Sequence, residues 1–257
     1  MTNDGAGATG GGRGGVTAPD SETITGLYER ELRAFDAAHP ASREARERAE
    51  GSLLSGVPMN WMTRWPGGFP IVVAEASGAS VTDVDGNTYA DLCLGDTGAM
   101  TGHSPPATVE AAAKQLRNGI TTMLPSPDSA AVGEELQRRF GLARWQITVS
   151  ATDANRFVIR IARQITGRPK VLVFNHCYHG SVDEALVTVR DGAVVPRDGS
   201  VGPPVDPSLT SSVIEFNDLD ALEGALATGE IACVLAEPAM TNMGIVLPEA
   251  PYHETLR

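Results

Sequence analysis

Residues Ala151 to Glu184 read ATDANRFVIRIARQITGRPKVLVFNHCYHGSVDE, and the hydrophobic period changes once along them. Ala154, Phe157, Val158, Ile161 and Ile165 recur at helical spacing and predict an amphipathic helix over 153–166. Gly167-Arg168-Pro169 ends it, glycine being a ready helix C-cap and proline unable to continue the helix. Val171-Leu172-Val173-Phe174 then runs apolar without alternation, as a strand covered on both faces does. It feeds straight into Asn175-His176-Cys177-Tyr178-His179-Gly180. Such a cluster suits a metal site, a nucleophile with its base, a stacking platform or an ordinary packed loop.

Working outward, apolar runs at 145–150 and 231–236, and a weaker one at 211–216, predict further strands, with a helix at 218–228 between the last two. Strands apolar on both faces and separated by helices indicate α/β architecture, a mainly parallel sheet with helices on both faces. The stretch 190–210, with Pro196, Pro203, Pro204 and Pro207, reads as a long surface loop. Upstream, helices are expected at 106–117 and 127–140. Before them, PIVVAEASGASVTDVDGNTYADL alternates around Ser77-Gly78 and Asp85-Gly86-Asn87, predicting two or three short antiparallel strands. Ser21 to about Ser55 is helical in pattern and heavily charged. The opening MTNDGAGATGGGRGGVTAPD is too poor in apolar groups to offset its ordering entropy. The expected organisation is a disordered tail at 1–20, N-terminal helices and antiparallel strands at 21–103, and a larger α/β portion at 104–257.

Composition excludes several functions. A net charge of −12 with no basic patch argues against nucleic-acid or anionic-membrane partners. No apolar run approaches the roughly 20 residues a spanning helix needs, and no signal-peptide pattern opens the chain. The three cysteines, Cys93, Cys177 and Cys233, stand far apart and form no C-x-x-C, which fits a reducing, cytoplasmic location. Of the 20 Lys and Arg residues only Lys114 and Lys170 are lysines.

Three places at strand ends could carry chemistry, since ligands gather at the carboxyl edge of a parallel sheet. Ser150-Ala151-Thr152 opens the helix after 145–150, where backbone N–H groups and two hydroxyls suit a phosphate dianion; plain helix capping is the other reading. In the second, His176 and Cys177 would point to opposite faces of an extended chain and lack further ligands for zinc. Tyr178 could cover the face of a flat ligand or be an ordinary packed tyrosine. In the third, Glu237 ends the run 231–236, and Asn242 follows in a small-residue loop.

Taken together, ATDANRFVIRIARQITGRPKVLVFNHCYHGSVDE, LAEPAMTNMGIVLPEAPYHETLR, DVDGNTYADL and GHSPP, in the right order, resemble the class-III aminotransferase family and most closely its glutamate-1-semialdehyde 2,1-aminomutase branch. The resemblance covers roughly Pro58 to Arg257. It implies the pyridoxal 5′-phosphate (PLP)-dependent transferase fold type I, here as an incomplete large domain plus an N-terminal segment. It also implies small-molecule amino donors and acceptors, and a homodimer at full length. Tyr178 of the YHG motif would stack on the pyridine ring and Ser150, Ala151 and Thr152 would hold the phosphate. Asn242 would lie beside the ring and substrate, with His179 and Glu237 completing the cofactor set.

Departures accompany the likeness. Ala151 stands where the family's turn has glycine, and an added Cβ would crowd the phosphate if the position needed positive φ. The N-terminal arginine that receives the substrate carboxylate falls on Trp61, with Arg64 a substitute at shifted spacing. The Schiff-base lysine and the acid that keeps the pyridine nitrogen protonated both follow the EP strand in that family, and no catalytic residue of this kind lies within the 257 residues. Two readings follow: an incomplete chain of a PLP-dependent aminotransferase or aminomutase, and a non-catalytic remnant that binds PLP or a partner subunit without turnover.

Overall fold

The computed structural model describes residues 20–257 except Pro204, so residues 1–19 of the predicted tail lie outside the described residues. The chain divides into two compact units, up to Leu124 and from Pro125.

In the first unit, α1 (Ser21–Ala38) is capped by Asp20, which accepts from Thr23 N–H at 2.7 Å. Helix α2 (Pro40–Glu50) starts with proline at its first position, where a missing N–H costs nothing. Asp85 caps it from a distance, accepting from Ala41 and Ser42 N–H and from Ser42 Oγ. The predicted antiparallel strands are three, β1 (Val73–Ser77), β2 (Ser80–Asp83) and β3 (Thr88–Ala90), in that order across the sheet. Buried Asp83 ties the β2–β3 turn: it accepts from Asp85 N–H, Asn87 N–H and side chain, and Tyr89 Oη. Burial pushes its pKa up, but those hydrogen bonds together outweigh it and hold the carboxyl below its ordinary range. Helix α3 (Pro106–Asn118) completes the unit.

The second unit holds α4 (Asp128–Phe140), α5 (Ala151–Thr166), β4 (Lys170–Phe174), β5 (Val187–Arg190), β6 (Ala193–Pro196), β7 (Ser211–Ile214), α6 (Leu219–Ala227), β8 (Ile231–Val234) and α7 (Tyr252–Leu256). Strands β7, β4 and β8 form a parallel sheet with β4 in the middle. Val171 to Phe174 of β4 are fully buried, which explains why this strand lacks a polar face. Around them pack Ile159 of α5, Leu222 of α6, Met240 and Tyr252, whose ring meets those of Phe174 and Phe216.

Two expectations are corrected. Residues 145–150 form no strand: no neighbouring strand pairs with them among the described residues, and Val149 is 99% exposed. The stretch 190–210 is not wholly loop, because its first residues close the β5–β6 hairpin. Val187, Thr188 and Val189 pair with Pro196, Val195 and Val194, and Asp191 and Gly192 take the positive φ that a two-residue hairpin turn demands.

Helix α5 packs one face inward through Ile159, yet Phe157, Val158, Ile161 and Ile165 on its flank are 49–78% exposed. A contiguous apolar stripe on a single helix is more than the scattered exposed side chains a monomer tolerates. The isolated chain is therefore expected to bind an apolar-surface dye and to self-associate despite its −12 charge. A monodisperse monomer with no dye binding and a sharp, reversible thermal transition would contradict this.

Candidate functional site

Parallel strands carry their following turns to the same edge, so the turn after β4 and the loop after β8 meet there. The start of α5 joins them, because a helix running back antiparallel to β4 begins where that strand ends.

Ser150 is the N-cap of α5: its Oγ accepts from Asp153 N–H at 3.1 Å and lies 3.0 Å from the Asp153 carboxylate, to which it donates. The capping reading is therefore seen directly. Ala151 is the first helical residue and is absent from the positive-φ positions, so its Cβ carries no backbone strain. The amide groups of Ala151 and Thr152, orphaned as all first-turn N–H groups are, make no hydrogen bond among the described residues. Thr152 Oγ1 accepts from Ser181 N–H at 3.1 Å, and Asn155 Nδ2 donates to the His179 carbonyl at 3.0 Å.

The turn 175–181 has no regular structure, and side chains from three segments pin it. Asn242 Nδ2 donates to the His176 carbonyl at 3.1 Å, and the Arg197 guanidinium donates to the carbonyl of Cys177. Thr152 and Asn155 hold its far side. Asn175 anchors its start, donating to Glu215 at 2.6 Å and accepting from Thr188. His176 adopts φ 63° and is exposed, whereas Cys177 is wholly buried. Between them and His179 stands Tyr178, its side chain 58% exposed and its hydroxyl without a hydrogen bond among the described residues.

Metal and nucleophile readings lose ground here. No group of three or more His, Cys, Asp or Glu that could hold a metal exists among the described residues. Burial pushes the Cys177 thiol above its ordinary range, so it is not an activated thiolate. Burial likewise holds the His179 imidazole below its usual range, against the opposing pull of Glu237. His179 Nε2 and Glu237 Oε1 are both buried without a partner, while Glu237 Oε2 accepts from Thr241 N–H and Oγ1. Buried polar atoms left unpaired are rare, and among the described residues Tyr252 Oη is a third.

Trp61 and Arg64 lie in the first unit, on a short 3-10 turn over Asn60–Arg64. Both are exposed; the Trp61 indole N–H reaches the Met59 sulfur at 3.2 Å, and Arg64 makes no ion pair among the described residues. Sequence reasoning overlooked Asn155 and Arg197. The hairpin that delivers Arg197 was signalled by the alternation of Val187-Thr188-Val189-Arg190 before the turn residues Asp191-Gly192.

Polar turns collected at the carboxyl edge of a parallel sheet define the class: an open α/β protein of the ligand-binding kind. Comparison with known proteins narrows it. The model of the aminotransferase class-III family matches residues 61–257. Glutamate-1-semialdehyde 2,1-aminomutase of Methanocella arvoryzae is 38% identical over 193 residues, which is 74% of this chain and 45% of that protein. The crystal structure of a glutamate-1-semialdehyde-aminomutase from Pseudomonas aeruginosa PAO1 superposes with a TM-score of 0.88 at 53% identity, covering 93% of this chain and 53% of the other. A variant of that Pseudomonas enzyme, in complex with PMP, matches equally well. The chain belongs to the class-III aminotransferase family, whose α/β fold is that of the PLP-dependent fold type I enzymes. It spans about half the length of the curated relatives it matches. No helix among the described residues is long and apolar enough to cross a membrane.

Proposed function

We propose that this chain carries the cofactor-binding part of a PLP-dependent aminotransferase or aminomutase acting on an amino acid or amino-aldehyde. The observation that supports it most is the juxtaposition of the α5 N-terminus with the Tyr178 turn, joined by the Thr152–Ser181 and Asn155–His179 bonds. A helix N-terminus with free amides accepts a phosphate, and an exposed ring on the adjoining turn accepts a flat heterocycle. The residues fit the group: unpaired first-turn amides, an unhindered Ala151, a half-exposed Tyr178, and the unpaired buried atoms His179 Nε2 and Glu237 Oε1. When bound, the cofactor supplies an electron sink for the carbanion left by proton loss at an amino acid's α-carbon.

Ser150, Ala151 and Thr152 would hold the phosphate, and Tyr178 would cover one ring face and exclude water from it. Asn242, already bonded to the turn, would border the ring and substrate. His179, neutral through burial, and Glu237 would orient polar groups behind Tyr178. Trp61 and Arg64 are the candidates for the substrate side. A homodimer and a cytoplasmic location accompany this reading through the family resemblance and the free cysteines.

Replacing Tyr178 with Ala should weaken PLP or PMP binding about fivefold, because stacking contributes on the order of 1 kcal/mol. Tyr178→Phe should keep most of the affinity in the same fluorescence titration. Equal losses for both would assign the effect to the hydroxyl and remove the stacking role.

The second reading, cofactor or partner binding without turnover, is favoured by one observation: Lys170, the one lysine of the second unit, opens β4 and pairs with Glu230 at the end away from the carboxyl edge. Reading the DNA beyond codon 257 separates the two. A continuing frame that encodes a lysine and an acid at strand ends supports the enzyme, and a stop codon supports the non-catalytic form.

A further inference from the structure

We propose that Arg197 is a positioning residue for Tyr178, fixing the peptide plane through which the chain enters that residue. The inference rests on the reading of Tyr178 as the ring platform.

The carbonyl of Cys177 belongs to the peptide unit that ends at the Tyr178 nitrogen. Holding that oxygen fixes ψ of Cys177 and φ of Tyr178, the two rotations that aim the tyrosine's Cα–Cβ bond. Arg197 donates to this oxygen from its guanidinium. No other donor to it exists among the described residues, and Cys177 is wholly buried, so water is a poor substitute. The neighbouring carbonyls are held independently, His176 by Asn242 and His179 by Asn155. Arg197 thus supplies the grip closest to Tyr178.

The arginine is itself held well. It directly follows β6, its N–H donates to the Leu186 carbonyl at 2.9 Å, and its own carbonyl accepts from Ser200 N–H at 2.9 Å. The two-stranded hairpin therefore acts as a stiff arm that brings one cation to the back of the turn. A planar guanidinium suits the task, since it can meet a carbonyl in a fixed direction where a lysine ammonium is a flexible point charge. Hydrogen bonds from charged donors to buried acceptors are among the stronger ones, and an acceptor left unpaired carries its full desolvation cost.

The test uses the 257-residue chain with Arg197→Ala and Arg197→Lys, and Arg190→Ala as control. Arg190 lies on the same hairpin but pairs outward with Asp198 at 2.8 Å. Hydrogen–deuterium exchange without any cofactor should show amides of 175–182 exchanging about tenfold faster in Arg197→Ala, with β4 and α5 unchanged. Arg190→Ala should leave the turn as it was, and Arg197→Lys should recover part of the protection. PLP titration is the second arm. Arg197→Ala should weaken binding, and adding it to Tyr178→Ala should cost little more than Tyr178→Ala alone, because both act through one ring. Unchanged exchange at 175–182 in Arg197→Ala, or exchange raised throughout the unit, would overturn the proposal, as would full additivity with Tyr178→Ala. Absence of PLP binding by the unsubstituted chain would instead overturn the cofactor reading, while the exchange arm still decides whether Arg197 fixes the turn.

Discussion

Mixing the 257-residue chain with PLP, an amino donor and an amino acceptor is expected to give no amino transfer, and borohydride is expected to trap no stoichiometric adduct at one lysine. With the cofactor where the proposed reading puts it, the chemistry would need an amine at the carboxyl edge, beside Tyr178, to hold the group covalently and to move the proton. Lys170 opens β4, at the opposite end from the turn, and its ammonium pairs with Glu230 at 2.9 Å. A five-residue strand at ~3.3 Å per residue puts it roughly 16 Å from the Tyr178 edge. Lys114 is exposed on α3, in the other unit. Accessible lysines form reversible adducts with any aldehyde, so weak labelling of exposed Lys114, and less of partly buried Lys170, is compatible with this expectation. One peptide labelled to completion, accompanied by turnover, would defeat it.

Much of the second unit was legible because its elements obey short-range rules. Helix α5 shows its period in Phe157, Ile161 and Ile165, and Gly167 stops it with φ 68° as a left-handed cap. Strand β4 was plain from four consecutive apolar residues. Residues 145–150 misled for a physical reason: Ile147, Thr148 and Val149 have strand propensity, but a strand exists only where a neighbour offers hydrogen bonds. In the hairpin, prolines at and beyond 196 obscured the alternation that precedes them. The site divides the same way. Ser150, Tyr178 and Asn242 belong to sequential motifs and could be named from them. Asn155 and Arg197 act on carbonyl groups 24 and 20 residues away, and a side chain's bond to a distant backbone leaves no periodic trace.

Substituting Gly180 should have the largest effect on stability of any single change at the turn. Gly180 adopts φ +78°, and a Cβ there would stand 2.2 Å from Thr152 Oγ1, with Thr152 Cβ and Cα at 3.1 and 3.2 Å. Two costs add. Left-handed backbone costs an L-residue about 1–2 kcal/mol. The clash then drives Thr152 away and breaks its bond to Ser181, about 1 kcal/mol more. Gly180→Ala should therefore destabilise the chain by about 2–3 kcal/mol in urea unfolding at low protein concentration, and weaken PLP binding by separating the α5 N-terminus from the ring. Gly167→Ala isolates the first cost: its φ is +68° with nothing within 4 Å of the added Cβ, so it should lose only the backbone contribution. Thr152→Ala isolates the second, costing about 1 kcal/mol alone and little when added to Gly180→Ala, since the bond it removes is already broken. If Gly180→Ala proved no worse than Gly167→Ala, the turn would not be seated on the helix start. The first-turn amides of α5 and the tyrosine ring would then lack the contact on which the proposed site rests.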